Sequence, residues 1–201
     1  MTGSPALIHP YTELRPIDEN IGVGVFATRA IERGTIVWVQ DQRDVIYTPQ
    51  HYDRLPRPQR AIADKYAYED SWGNLVLCWD LARYMNHSCE PATLSLGEYC
   101  EIAARDLQPG DQLTCEYGFL NLDAPMRCRC GAPRCRSVIG PGDYDEHGHR
   151  WEQAVQRLLP AVNLVEQPLW ALVEVLQEDL AIQEAVLRGD PSILHHSHRL
   201  F

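Results

Sequence analysis

The chain has 201 residues, 45% of them hydrophobic and 23% charged, which suits one well-cored domain with a small appendage and excludes a disordered tail. No apolar run approaches the roughly 20 residues that span a bilayer, and the N-terminus lacks a charged-then-apolar leader, so a soluble intracellular protein (cytoplasmic, with a nuclear role left open) is expected. The formal net charge of −10 argues against direct nucleic-acid binding and matches a basic protein or peptide partner, although it would equally serve solubility alone.

Over residues 14–117, short β-branched and aromatic runs alternate with Gly, Pro and Asp. The runs 23–27, 35–39, 44–47, 75–79, 93–96 and 113–117 are predicted strands, separated by turns such as Arg33-Gly34 and Pro109-Gly110-Asp111. One short helix is expected around 58–64. Residues 126–141 are rich in Cys and Arg without apolar periodicity, so they need a staple rather than a core. Helical character follows over 143–189. A shorter helix is predicted at 151–159, and Pro168 opens a second with Leu169, Leu172, Val173, Leu176 and Leu180 on one face, flanked by Val175, Ile182 and Val186. Gly189 and Pro191 mark its stop, and the apolar faces of these helices are expected to pack on the β body or on each other, with a substrate groove or a dimer interface as the alternative. His195, His196 and His198 read as a frayed tail.

Four motifs carry chemistry. Cys128-x-Cys130 followed by Cys135 offers three soft, anionic ligands, whereas a closed zinc site takes four. The alternative left open by the spacing is three free thiols. Seven cysteines is an odd count, against a fully paired disulfide framework. The stretch from Arg83 through Asn86-His87-Ser88-Cys89-Glu90-Pro91 is an ordinary polar turn or Cys-His nucleophilic machinery, and no local signature of the latter accompanies it. In the run from Gly110 to Gly118, Tyr117 is either a core tyrosine or a site residue. Gly22-Val23-Gly24 lacks the third glycine and helix of a dinucleotide fingerprint; it suits a tight hairpin with close backbone approach.

Taken in order, G-x-G-V-F-A, N-H-S-C-x-P, G-D-Q-L-T-x-E-Y-G and C-x-C-x4-C resemble the SET-domain family of protein lysine methyltransferases with its post-SET zinc segment, over about residues 17–136. The resemblance implies a mainly β SET fold over 1–125, with a knot-like crossing of 86–91 and 113–117. A zinc-stapled post-SET segment over 126–141 and a small helical C-terminal extension over 142–201 would follow. It implies transfer of methyl groups from S-adenosylmethionine to lysine side chains of a protein, a basic one such as a histone or ribosomal protein. A non-catalytic SET-like module binding a lysine-bearing partner is the alternative, and a zinc-stabilised interaction or nucleic-acid module a more distant one.

By the same resemblance, Cys89 joins Cys128, Cys130 and Cys135 around one structural Zn2+. The cofactor would contact Gly22, Val23, Gly24, Tyr66, Arg83, Asn86 and His87, with Phe119 and Arg129 on its adenine side. Tyr117 would be catalytic, orienting the amine, and Tyr66, Cys115 and Tyr117 would line the substrate channel. Three positions depart from the family pattern: Ile21 for a basic residue, Ala92 for Asn, and Cys115 for Phe or Tyr. The small Cys115 leaves room for a bulkier amine, so di- or trimethylation is expected.

Overall fold

In a computed structural model, which describes residues 8–97 and 99–175, the chain is mainly β. Its strands are β1 (Thr12–Pro16), β2 (Val23–Ala27), β3 (Ile36–Val39), β4 (Val45–Tyr47), β5 (Tyr68–Glu69), β6 (Leu75–Leu77), β7 (Asn86–His87), β8 (Thr93–Leu96), β9 (Cys100–Ala103), β10 (Gln112–Cys115), β11 (Met126–Arg127) and β12 (Val138–Ile139). The helices are α1 (Pro49–Tyr52), α2 (Arg57–Tyr66), α3 (Asp143–Val162) and α4 (Trp170–Val175), with 3-10 turns at Leu81–Tyr84 and Tyr117–Phe119.

The strands form small sheets in the orders β1-β2-β10-β7, β3-β9-β8 and β4-β6-β5, plus the β11-β12 ladder. One pairing among these strands is parallel. It sets Thr114 opposite Asn86 and Cys115 opposite His87, so two of the sequence motifs lie side by side.

Where the strands differ from the pattern, the cause is local. β1 is a half-exposed edge ended by Pro16, which cannot donate to a further strand. β9 is wholly buried although Glu101 interrupts its apolar run. The buried carboxyl is tolerated there because Thr93 and Ser95 of β8 each reach one of its oxygens at 2.5 Å. The run 113–117 stops as a strand at Cys115, since the Glu116 side chain accepts the Gly118 N–H and starts a 3-10 turn. α3 begins well before the expected residue 151. Asp143, Asp145 and Glu146 in its first turn favour the positive end of the helix dipole. The second predicted helix is described as far as Val175; Leu176, Leu180, Ile182, Val186, Gly189, Pro191 and the three C-terminal histidines lie outside the described residues.

The core explains why α3 docks where it does. Val155, Leu158, Leu159 and Val162 fall at i, i+3, i+4 and i+7, and they pack against Ile36, Leu94, Leu96 and Ile102 from β3, β8 and β9. Burying each such side chain stabilises the fold by about 1.5–3 kcal/mol. Gly34 has φ +96°, and a Cβ there would lie 2.8 Å from Ala161, so the turn before β3 needs glycine both to bend and to meet the helix. A second cluster, including Val25, Val37, Met85, Leu107 and Leu113, fills the body behind β2 and β10. No described helix is long and apolar enough to cross a membrane.

Candidate functional site

A cavity of about 710 Å³ is lined from α2, β5, β9, β10 and both 3-10 turns. Among the residues expected at a site, Tyr66, Arg83, Cys115, Tyr117 and Phe119 line it. The Tyr117 hydroxyl donates to the Met85 carbonyl at 2.9 Å. Burial, followed by the nearby Cys115, raises its pKa, so the phenol keeps its proton and its oxygen remains free to accept a hydrogen bond. Cys115 is also held as a neutral thiol, chiefly by burial and then by the Glu101 and Glu116 carboxylates. Tyr66 packs edge-on against Tyr84, with centroids 5.2 Å apart. Arg83 donates to the Trp79 carbonyl at 2.9 Å, which anchors the first 3-10 turn to the wall. Phe119 is fixed from behind by Trp151 and Tyr144 of α3, at 5.2 and 5.8 Å between ring centroids.

The lining is acidic. Asp64, Glu69, Glu101 and Asp123 face the space against Lys65 and Arg83. Glu101 was missed by the sequence reading. Burial pushes its carboxyl up to about 7, against the Ser95 and Thr93 hydrogen bonds that lower it. A lone charge inside a four-residue apolar run was the signal that could have found it.

The remaining expected cofactor contacts do not line this cavity. Gly22 adopts φ +89° with nothing within 4 Å of where a Cβ would stand. Gly24 is constrained differently: a Cβ there would press on Gln112, Ile17 and Asn86. The Asn86 amide donates to the Val23 carbonyl at 3.0 Å and thereby clamps the glycine turn. Beside that turn the Gln112 side-chain nitrogen is buried without a partner among the described residues. An open glycine turn next to an unsatisfied amide donor fits a small polar ligand group. Arg129 is exposed on the cysteine loop.

Cys89, Cys128, Cys130 and Cys135 converge. The Cys128 sulfur is 3.7 Å from that of Cys89 and 3.6 Å from that of Cys135, close to the ~3.8 Å edge of a tetrahedron of sulfurs 2.3 Å from a zinc ion. Backbone N–H groups of Arg136, Cys89 and Ser137 point at the sulfurs of Cys89, Cys130 and Cys135, at 3.3, 3.5 and 3.4 Å, and such donors favour thiolates. The donor set therefore fits zinc.

The ligand atoms that all lie within 4.8 Å of one another are those of His87, Cys89, Cys128 and Cys130, and Cys135 joins them through Cys128. The protonation of His87 argues for a supporting role. The Tyr117 backbone N–H donates to Nδ1 at 3.2 Å, which leaves the proton on Nε2, 3.2 Å from the Cys89 sulfur. A ring nitrogen that carries a proton donates to a thiolate and does not ligate the metal. Burial, then Arg136, lowers the His87 pKa to about 4 against a smaller opposing pull from the Cys115 backbone, so the ring is neutral. His87 thus links the sulfur cluster to Tyr117. Arg136, likewise unforeseen, pairs with buried Glu116 at 2.6 Å and ties the same loop to the strand end that carries Tyr117.

Residues 22–118 match the family model described as SET domain. Histone-lysine N-methyltransferase TRX1 of Oryza sativa subsp. japonica is 37% identical over 84 residues, 38% of this chain and 8% of that protein. Histone-lysine N-methyltransferase trr of Drosophila melanogaster is 31% identical over 129 residues, 57% of this chain and 5% of that protein. The chain therefore spans less than a tenth of the length of these relatives. Among solved structures, the methyltransferase domain of human Histone-lysine N-methyltransferase SETMAR aligns at a TM-score of 0.46 and 20% identity, over 66% of this chain and 58% of that one.

Proposed function

We propose that this chain, whose residues 22–118 match the SET-domain family model, transfers methyl groups from S-adenosylmethionine to the Nζ of a lysine on a protein substrate. The observation that carries this reading is the acidic cavity in which Tyr117, held protonated and hydrogen-bonded to the Met85 carbonyl, lies beside Cys115 and Tyr66.

When bound, S-adenosylmethionine supplies an activated methyl on its sulfonium. The residues do the rest by placement. The carboxylates of the cavity attract a lysine ammonium, and burial among tyrosines favours its loss of a proton, since a desolvated amine is easier to keep neutral. With its own proton on the Met85 carbonyl, Tyr117 accepts a hydrogen bond from the amine and turns the nitrogen lone pair toward the methyl. Aligning reactants in this way is worth several kcal/mol and requires no strong acid or base. Gly22, Val23 and Gly24, with Tyr66, Arg83, Asn86 and His87, are assigned to the cofactor, Asn86 acting through the Val23 carbonyl it holds. Phe119 and Arg129 are assigned to its adenine side. Cys115 replaces a large side chain at the channel, so di- and trimethyl-lysine are the expected products.

Cys89, Cys128, Cys130 and Cys135 are assigned to one zinc ion of structural role. The substrate is expected to be a basic protein; the two relatives named above are, by their names, histone-lysine methyltransferases.

The test is transfer of label from S-adenosylmethionine to a panel of basic proteins, beside the Tyr117→Phe variant. Label on lysine that drops sharply in the variant supports the reading. Label that persists unchanged in the variant removes Tyr117 from its role. Zinc-loaded, folded protein that binds no S-adenosylmethionine overturns the proposal as a whole.

A further inference from the structure

On the other side of the cysteine loop lies a second concavity, a groove of about 860 Å³ walled by that loop, by α3 and by the turns before β3 and after β9. Lys65 is the chain's only lysine, so 17 of its 18 basic residues are arginines, and six of these line the groove: Arg33, Arg105, Arg134, Arg136, Arg150 and Arg157. His147 joins them, and Glu90 is the one carboxylate in the lining. A protein of net charge −10 has thus gathered six cations around one hollow. Gathering like charges costs energy unless counter-charge arrives.

Part of that counter-charge is internal. Arg105 pairs with Asp111, Arg134 with Glu90 and Arg136 with Glu116, each at 2.6 Å. Arg33, Arg150 and Arg157 have no carboxylate partner among the described residues. They are nevertheless placed by the fold. Arg150 and Arg157 are two helical turns apart on one face of α3, and the Arg33 guanidinium is held against that helix by the Arg157 carbonyl at 2.9 Å. The Arg134–Glu90 pair, with the arginine side chain 77% exposed, is weak enough to reopen toward an incoming anion.

We infer that this groove binds an anion carrying several phosphates. The planar guanidinium grips phosphate oxygens in pairs, so several such forks around one hollow, three of them without a carboxylate partner among the described residues, point to phosphate. The number of forks exceeds what one carboxylate or one phosphate could satisfy. Trp151 forms part of the wall, with the Arg136 guanidinium 5.2 Å from its ring centroid, so an aromatic face stands beside the cations. The phosphates come from a free polyphosphate-type molecule or from a nucleic-acid backbone; the groove chemistry is common to both. The inference does not depend on methyl transfer.

Binding of inorganic tripolyphosphate, of a mixed-sequence single-stranded oligonucleotide and of a poly-glutamate peptide to the zinc-loaded full chain tests it, read by calorimetry at two salt concentrations. The expected result is tripolyphosphate or oligonucleotide binding that weakens with salt. It should fall at least tenfold in Arg150→Glu/Arg157→Glu and stay unchanged in Arg57→Glu, an exposed arginine on α2 away from the groove. Tighter binding of the oligonucleotide identifies the backbone as the source; comparable or weaker binding identifies a free polyphosphate. Zinc content and circular dichroism confirm that the variants are folded, and Arg157→Gln gives a milder second variant, expected to lose less. Binding of neither phosphate probe, poly-glutamate binding as tight as theirs, or an equal loss in Arg57→Glu would each overturn the inference.

Discussion

The two concavities of this molecule have opposite electrical character. The cavity at Tyr117 faces four carboxylates against two cations, whereas the groove behind the cysteine loop faces six arginines against one carboxylate. A net charge is a sum, and here it conceals a separation. The cavity suits a cationic side chain. The groove suits anions that the whole-chain charge argues against. Between them stands the loop carrying Cys128, Cys130 and Cys135, joined to the cavity side through His87 and Arg136 and to the groove side through Arg134 and Arg136.

The largest perturbation therefore strikes both regions at once. Removing the proposed zinc with a chelator, or substituting Cys128→Ser, is expected to lower stability by about 4 kcal/mol, the linkage for a metal present at a thousand times its dissociation constant. Both methyl transfer and anion binding should fall with it. Metal analysis together with thermal unfolding checks this, and two activities that survive in metal-free protein would detach the loop from both sites.

A smaller change separates the regions. Tyr117→Phe is expected to reduce methyl transfer about a hundredfold, through loss of the oxygen that orients the amine, while S-adenosylmethionine binding and tripolyphosphate binding hold. Steady-state rates and calorimetry on the same preparation measure all three. If anion binding fell in parallel, the two sites would not be independent.

Glu101 tests how the cavity holds its buried charge. Its carboxyl titrates at about 7 in the folded chain, above the ordinary value of 4.5, so the folded protein retains a proton that the unfolded chain releases. The stabilising preference is thus present at low pH and is lost as the pH rises toward 7. This one group should reduce stability by about 2 kcal/mol between pH 5 and 7. Glu101→Gln, which cannot ionise, should remove that component. Denaturant unfolding of both proteins across the range gives the difference, and identical slopes would contradict a buried, late-titrating Glu101.

The mildest change alters the product more than the rate. Cys115→Phe narrows the channel and should shift products from di- and trimethyl-lysine toward monomethyl-lysine, with overall turnover changed less than about tenfold. Mass spectrometry of a methylated substrate reads this directly. A wild-type product that is only monomethylated would remove Cys115 as the reason.

Much of the β body was legible in advance because its signals are local. Val23–Ala27 and Thr93–Leu96 have the strands expected of them, and α2 extends the expected 58–64 by a residue or two at each end. Glu101 hid β9, since a charge in a short apolar run argues against burial until the two hydroxyls opposite it are known. The first turns of α3 hid for a related reason: their polar residues follow helix-end electrostatics, and apolar periodicity begins only later. At the site, the cysteine spacing and the order of the four motifs could be read directly. That Asn86 reaches the glycine turn by holding the Val23 carbonyl could not, because 63 residues separate the partners.

By itself, then, the sequence determined the strand-rich body, the cysteine staple awaiting a fourth ligand, and a set of polar motifs in a recognisable order. Hydrophobic period, turn residues and ligand spacing all act over a few residues and survive in one dimension. The tertiary structure alone decided that β7 and β10 run parallel, that His87 stands between sulfur and Tyr117, and that arginines from position 33 to position 157 face one groove. Electrostatics acts through space, and the separations that govern it exist only after the chain has folded.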